Sequence, residues 1–368
     1  MRVTNIKLNS FRNYDMLDAN FFDGTNLISG GNGQGKTNLV EAVMLAALTK
    51  SPRTSNDDDM KKDGTDFTSV ELKVQREFGE VDIKCTLGEL GKKFYINGNE
   101  VKKDSEVFGN LVAVYFSPND LVIVSGSPSE RRDFVDTDIS QLSGKYYNLI
   151  QRYQKVLVQR NKFLKTTRDK DVIYSQIEIW DEQLASLAGI IIKTRKSFIE
   201  KLKEPANEII KFISKGGDEL AIKYEGAKGT GADEIKAEIL KSLKFNLERD
   251  IELGYTTIGP HRDDIIFELN GKDSKVFASQ GQQRTIVLAL KIAELLVFGK
   301  EIGEKPVLVL DDVFSELDTS RQRKLYERLK GYQVLMTGTN FKFKPSEDYF
   351  QIVVKSAKIK EKYVKNTK

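Results

Sequence analysis

Apolar residues recur along this chain in two rhythms, and the change from one to the other divides it. Val3 to Phe11 has strand-like composition, with Ile6 and Leu8 on one face, and Asn26 to Ser29 reads as a short buried strand. After a glycine-rich loop, Leu39, Val40, Val43, Met44, Ala47 and Leu48 return at helical spacing, predicting a helix from about Lys36 to Thr49. Strand composition resumes over 70–87 and 92–101, where Asn97-Gly98 is a hairpin signal, and again from Leu111 to Phe116.

Ser127-Pro128-Ser129-Glu130 then has the form of a helix start: a serine cap, proline at the first position and glutamate to complete a capping box. Helical periodicity holds from there to about Ile213. One stripe is Leu149, Ile150, Tyr153, Val156 and Leu157; a second runs from Trp180 through Leu184, Leu187, Ile191 and Phe198 to Leu202. The polar stretch Thr166 to Asp171 separates them, so the segment reads as an antiparallel helical arm. Loops at Gly216-Gly217 and Gly226 to Gly231 lead back to mixed α/β texture. This comprises a hairpin at Asn270-Gly271, a helix from about Gly281 to Phe298, a buried strand at Val307 to Leu310 and a last strand at Gln333 to Met336. The tail from Lys355 to Lys368, with six lysines and one glutamate, reads as frayed. The expected fold is therefore α/β with an inserted helical arm. Residues 1–125 carry the glycine loop, 126–215 the arm, and 216–368 the second α/β part.

Composition narrows the setting. Hydrophobic residues make up 39 % and charged ones 30 %, which reads as a soluble globular protein of the cytoplasm with no membrane role. No apolar run is long enough to span a bilayer, and the N-terminus has no signal-peptide pattern. With a formal net charge of only +4, binding to an anionic polymer would have to come from local patches. One cysteine, Cys85, excludes an intrachain disulfide, and with the single histidine, His261, it excludes the usual zinc cage.

The candidate chemistry begins at Gly30-Gly31-Asn32-Gly33-Gln34-Gly35-Lys36-Thr37, which fits G-x-x-x-x-G-K-[ST] without mismatch, after a strand and at a helix start. Glycines let successive N–H groups point at phosphate oxygens, and the helix N-terminus adds partial positive charge. ATP is the expected ligand, with Lys36 on the β- and γ-phosphates and the Thr37 hydroxyl on Mg²⁺. Val307 to Leu310 delivers Asp311 and Asp312 at a strand end; Asp311 would hold the Mg²⁺ shell and Asp312 would orient the attacking water. Ser279-Gln280-Gly281-Gln282, at the start of an apolar helix, has the form of an anion seat, as an ordinary capped helix also would.

This order of glycine loop, S-x-G-Q seat and aspartate strand resembles ABC-type ATPases, in which the seat contacts the γ-phosphate held by a second protomer. The resemblance implies an α/β ABC-type P-loop ATPase head with the helical arm inserted, Ser279 in a catalytic role, and Gly281 and Gln282 binding nucleotide. Ser315-Glu316-Leu317-Asp318 looks like that class's D-loop. Further stretches resemble the RecF family of bacterial recombination-mediator ATPases over essentially the whole chain: Phe11-Arg12-Asn13-Tyr14, Phe116-Ser117-Pro118-Asn119-Asp120-Leu121, Gly126 with Arg131-Arg132, and Gly259-Pro260-His261-Arg262-Asp263-Asp264. The resemblance implies that Arg12 and Asn38 join the nucleotide site. It also implies DNA binding at gaps, duplexes and single-strand/double-strand boundaries, an ATP-dependent homodimer, partnership with RecR and RecO, and indirect action on RecA in gap repair and the SOS response. Three features depart from the wider ABC pattern. Asp312 stands where glutamate is usual, suggesting slow turnover. Thr337-Gly338-Thr339 replaces a switch histidine, so His261 reads as structural or interfacial. Asn119 or Asp120 stands in for a Q-loop glutamine.

Between Lys145 and Lys170 lie eight basic residues and one acid. Lys145, Arg152, Lys155 and Lys162 share the helix face away from the apolar stripe, as phosphate neutralisation requires. Nothing resembles a base-reading module, so backbone and junction shape are the expected determinants. Rival readings are the nucleotide-binding subunit of a membrane transporter, disfavoured by the long insertion between Lys36 and Ser279, and an SMC-type ATPase, whose coiled coil would be far longer. A GTPase is disfavoured because Asn161-Lys162-Phe163-Leu164 lacks the aspartate of N-K-x-D.

Overall fold

The computed structural model describes residues 1–214, 216–313, 326–339, 341 and 345–365. The chain opens with β1 (Arg2–Phe11), β2 (Tyr14–Asn20) and β3 (Thr25–Ser29), then the glycine loop and α1 (Lys36–Leu48). Next come β4 (Thr68–Arg76), β5 (Gly79–Gly88), β6 (Gly91–Ile96), β7 (Asn99–Glu100) and β8 (Ala113–Phe116). The helical region holds α2 (Val122–Ser125), α3 (Pro128–Leu142), α4 (Gly144–Thr166), α5 (Lys170–Gln176) and α6 (Glu178–Ile213). After it come β9 (Leu220–Glu225), α7 (Ala232–Phe245), α8 (Leu247–Leu253), β10 (Asp264–Leu269), β11 (Lys272–Asp273), α9 (Ser274–Phe277) and α10 (Gln280–Ile302). The described elements end with β12 (Val307–Asp311), β13 (Val334–Gly338), β14 (Tyr349–Lys355) and β15 (Lys358–Val364). Two compact units result, residues 1–120 with 291–368, and residues 121–290.

The first unit contains two six-stranded sheets. One is antiparallel, in the order β2-β1-β4-β5-β6-β7; the other runs β15-β14-β3-β13-β12-β8 and is parallel apart from β15. Helix α1 packs against strands of both, which is why residues on all its sides are buried and not only the stripe predicted from spacing. Register then aligns the functional ends. Ser29 of β3 pairs with Gly338 of β13, and Thr337 pairs with Asp311 of β12, so the glycine loop and both aspartates leave the same C-terminal edge.

The tail departs from the sequence expectation. Lys358–Val364 is not frayed but forms β15, paired antiparallel with β14 in register from Tyr349↔Val364 to Lys355↔Lys358. Tyr363 meets Phe22 edge-on at 5.4 Å and Phe350 at 6.4 Å, so an aromatic cluster holds a strand that its lysine content conceals.

In the second unit the predicted capping box at Ser127 and Glu130 is present, and the two apolar stripes lie on α4 and α6. This unit extends beyond 215, because the partners of α6 come later in sequence: α7 and β9 both pack on it. A Cβ on Gly189 would lie 2.4 Å from the Ala232 carbonyl oxygen, so only glycine allows α6 and α7 to approach so closely.

Arg160, counted with the basic residues of the arm, is completely buried. Its Nε donates to Asp181 Oδ1 at 2.7 Å, and its Nη1 donates to Asp250 Oδ2 at 2.7 Å and to the Thr256 hydroxyl at 2.9 Å. Arg160→Ala would leave two buried carboxylates without their cation. The expected loss is roughly 3–5 kcal/mol of unfolding free energy, measured by denaturant titration. A loss below about 1 kcal/mol would mean that water reaches the cluster.

Candidate nucleotide-binding site

The loop leaving β3 bends back on itself. Gly33 and Gly35 have φ of 74° and 115°, and a Cβ on Gly35 would sit 2.9 Å from both Asn13 Oδ1 and the Tyr14 hydroxyl oxygen. Tyr14 donates its hydroxyl to the Gly35 carbonyl at 3.0 Å, fixing the turn into α1. Lys36, almost fully buried, donates Nζ to the Gly31 carbonyl at 2.9 Å and so lies folded along the loop. Gly30, Asn32, Gly33 and Gly35 complete the curl, with the start of α1 at its mouth. Gln34, expected in the phosphate cradle, turns its side chain elsewhere. Its Oε1 accepts the Ser356 N–H at 2.6 Å and its carbonyl accepts the Ala357 N–H at 3.1 Å, tying the loop to the β14–β15 turn. Only its backbone can face a phosphate. Gln34→Ala should therefore weaken nucleotide affinity by about 2- to 10-fold with the fold intact, measured by calorimetric titration. Unchanged affinity would show that the loop keeps its shape without this brace.

The two strand-end aspartates behave differently. Asp311 Oδ1 accepts hydroxyl hydrogens from Thr37 at 3.1 Å and Thr337 at 2.6 Å, and Oδ2 accepts from Tyr115 at 3.0 Å. Thr337, in the place of a switch histidine, also accepts the Asp312 N–H at 3.0 Å, so one hydroxyl orients both aspartates. Asp312 has φ of 58° and is half-buried. Burial raises its carboxyl above the ordinary range; the Lys36 ammonium opposes this and the Asp311 charge adds to it. Thr37 and Asp311 together offer hard oxygen donors. This set fits Mg²⁺, which takes one or two protein oxygens and completes its shell with phosphates and water.

Arg12 and Asn38 are held in a polar knot at the side of α1. Arg12 donates Nε to Glu41 Oε2 at 3.0 Å and Nη2 to Oε1 at 2.5 Å. Arg53 donates to Glu41 Oε2 at 2.9 Å and to Asn38 Oδ1 at 2.7 Å, and Asn38 donates to Asn13 Oδ1 at 2.8 Å. Sequence reasoning missed Glu41, Arg53 and Tyr115, and gave Thr337 no role beyond standing where a switch histidine is usual. Glu41 had a signal: it is the one acid within the apolar helix and lies one turn beyond Thr37. At the Q-loop position, Asp120 accepts the Ser117 N–H at 2.6 Å and is pushed up by burial, while Asn119 is exposed. In the second unit, Ser279 caps α10. Its hydroxyl accepts the Gln282 N–H at 3.3 Å, and Gln282 Oε1 accepts the Ser279 N–H at 2.9 Å. Ser279, Gln280 and Gly281 are exposed, leaving the helix start accessible to an anion.

The family model described as the RecF/RecN/SMC N-terminal domain matches residues 2–358. A DNA replication and repair protein RecF from Alkaliphilus oremlandii is 41 % identical over 92 % of this chain and 93 % of its own length. The chain belongs to the RecF family. A structure of the recombination mediator protein RecF with ATP, in the RecFOR pathway, superposes with a TM-score of 0.90 at 34 % identity, covering 98 % of this chain and 97 % of the other. The Smc head domain of Pyrococcus furiosus, bound to the C-terminal domain of ScpA, shares the fold at a TM-score of 0.57 and 15 % identity over 99 % and 96 % of the two chains.

The remaining RecF-like motifs of the second unit bind one another. Arg131 pairs with both oxygens of Asp264 at 2.7 and 2.8 Å and donates to the Gly126 carbonyl; Arg132 donates to the Asp263 carbonyl at 2.7 Å. His261 lies between the Tyr153 hydroxyl, 2.7 Å from Nδ1, and the Thr256 carbonyl, 3.1 Å from Nε2. The carbonyl can only accept, so Nε2 carries the hydrogen and Nδ1 accepts from tyrosine. Burial lowers the imidazole pKa to about 4, so His261 is neutral and clamps its loop to α4. Ser315 to Asp318, assigned to the D-loop, lie outside the described residues.

Proposed function

We propose that this chain is an ATP-dependent DNA-binding protein of recombinational repair and replication-gap processing, in which nucleotide closes a homodimer on DNA. The observation that carries the nucleotide half is the approach of the Thr37 hydroxyl to Asp311 at 3.1 Å beside the folded Lys36. Lys36 would neutralise the outer phosphates, Thr37 and Asp311 would hold Mg²⁺, and Asp312, one methylene shorter than glutamate, would orient water for a slow, DNA-stimulated hydrolysis. Bound Mg²⁺ would supply charge to the phosphates; orientation remains with the Thr337–Asp311–Thr37 chain. The solved RecF relative with ATP at 34 % identity supports the same ligand here. Kinship further supports RecR and RecO as partners, RecA as the recombinase loaded indirectly, and a cytoplasmic setting.

The DNA half rests on a contrast between two lysine-bearing surfaces. On the antiparallel sheet, Lys7, Lys73, Lys84 and Lys93 are matched by Asp18, Glu80, Glu71 and Glu100. On α4, Lys145, Arg152, Lys155 and Lys162 are all exposed, and among the described residues no carboxylate pairs with any of them. Four unpaired cations on one helix face leave their charge open to phosphate. Replacing Lys155 and Lys162 together by Ala should weaken binding to all duplex sequences alike. It should also reduce the slope of log affinity against log salt by about two units. An unchanged slope would mean that α4 meets no phosphate.

A further inference from the structure

The loop between α8 and β10 is fastened along α4 at three levels. His261 bonds Tyr153 at 2.7 Å, Asn161 Oδ1 accepts the Thr256 N–H at 2.8 Å and the Thr256 hydroxyl at 2.7 Å, and Gly254 lies against the Lys165 side chain. Two side chains of this loop point outward. Tyr255 is 39 % exposed, and the Arg262 guanidinium lies over its ring at 5.1 Å. Among the described residues no carboxylate pairs with Arg262, although Asp263 and Asp264 follow it directly; those acids are engaged by Tyr224 and Arg131. Val158 is 64 % exposed one turn before Asn161 and Lys162, so an apolar spot borders the same stretch of α4.

An exposed aromatic ring under an unpaired guanidinium, at the margin of an open basic stripe, has the chemistry that takes an unstacked base: two flat faces for stacking, with cations beside them for the backbone. A duplex offers phosphates to Lys155 and Lys162 but no free base face. DNA that passes from double to single strand offers both. We infer that Tyr255 and Arg262 form a stacking platform for an unpaired base next to the duplex bound on α4. This rests on the DNA-binding reading of that helix and adds how a junction is told from a plain duplex.

The test compares full-length protein with ATP and Mg²⁺ on a gapped duplex and an unbroken duplex of equal length. 2-Aminopurine occupies the first unpaired position of the gap. Wild type should quench the probe on binding. Tyr255→Ala should lose that quenching and bind gapped DNA about 5- to 100-fold more weakly, with duplex affinity and salt slope unchanged. Tyr255→Phe should restore both, which a failure to fold would not allow. Equal losses on both DNAs, or quenching that survives Tyr255→Ala, would overturn the platform while leaving the α4 interface standing. If wild type bound neither DNA, both readings would fall together.

Discussion

Lys36→Ala should lose nucleotide affinity by about 30-fold to several thousand-fold while its circular dichroism stays that of the native protein. The size follows from burial. Lys36 holds its side-chain nitrogen in the curl of the glycine loop, where among the described residues it bonds only a backbone carbonyl at 2.9 Å. Phosphate oxygens would face this ammonium in a water-poor site, where truncating one partner of a charge pair is far more costly than at an exposed surface. The fold should survive, since α1 is held by apolar contacts with two sheets and the loop by Tyr14 and the β14–β15 turn. Normal ATP affinity in the variant, measured by calorimetry at fixed Mg²⁺, would remove the glycine loop from the nucleotide site. Asp312→Asn makes the contrasting control: it leaves Lys36, Thr37 and Asp311 in place, and with water orientation proposed as the only role of Asp312, ATP should bind and persist.

Local signals carried the sequence reading furthest. The glycine loop, the aspartate strand, the Ser127 capping box and the arm stripes were legible because each rests on a few neighbouring residues. What escaped depends on pairing across long separations. Nothing near Lys358 shows that it belongs to a strand, because the signal is its partner β14 and the aromatic contacts of Tyr363 with Phe22. Arg160 sits among exposed lysines and looks like one of them; its partners Asp181 and Asp250 lie on other elements. Gln34 matched a motif position whose backbone serves the phosphates, so the motif left its side-chain partner open. The N-terminal part of α6 likewise takes its packing partner from Ala232–Phe245, beyond the limit that periodicity set for the arm.

Ser279→Arg should bind ATP as a monomer yet neither dimerise nor hydrolyse, and mixing it with Lys36→Ala should bring part of the function back. The glycine loop belongs to the unit formed by residues 1–120 and 291–368, whereas Ser279 caps α10 in the other unit. ABC-type kinship implies that each seat serves the nucleotide of a second protomer, and the exposed Ser279, Gln280 and Gly281 are what such a seat requires. Arginine at 279 would break the capping box with Gln282 and fill the anion seat, while every residue of the glycine loop is kept. A mixed dimer pairs the intact loop of the Ser279 variant with the intact seat of the Lys36 variant, which completes one site of two. ATP would bind that closed pair better than separate chains and so shift the population towards it. Analytical ultracentrifugation with ATP should show dimers in the mixture and in neither variant alone, with at most about half the wild-type ATPase rate. Full hydrolysis by Ser279→Arg alone, or a wild type that stays monomeric at saturating ATP, would show that each protomer completes its own site.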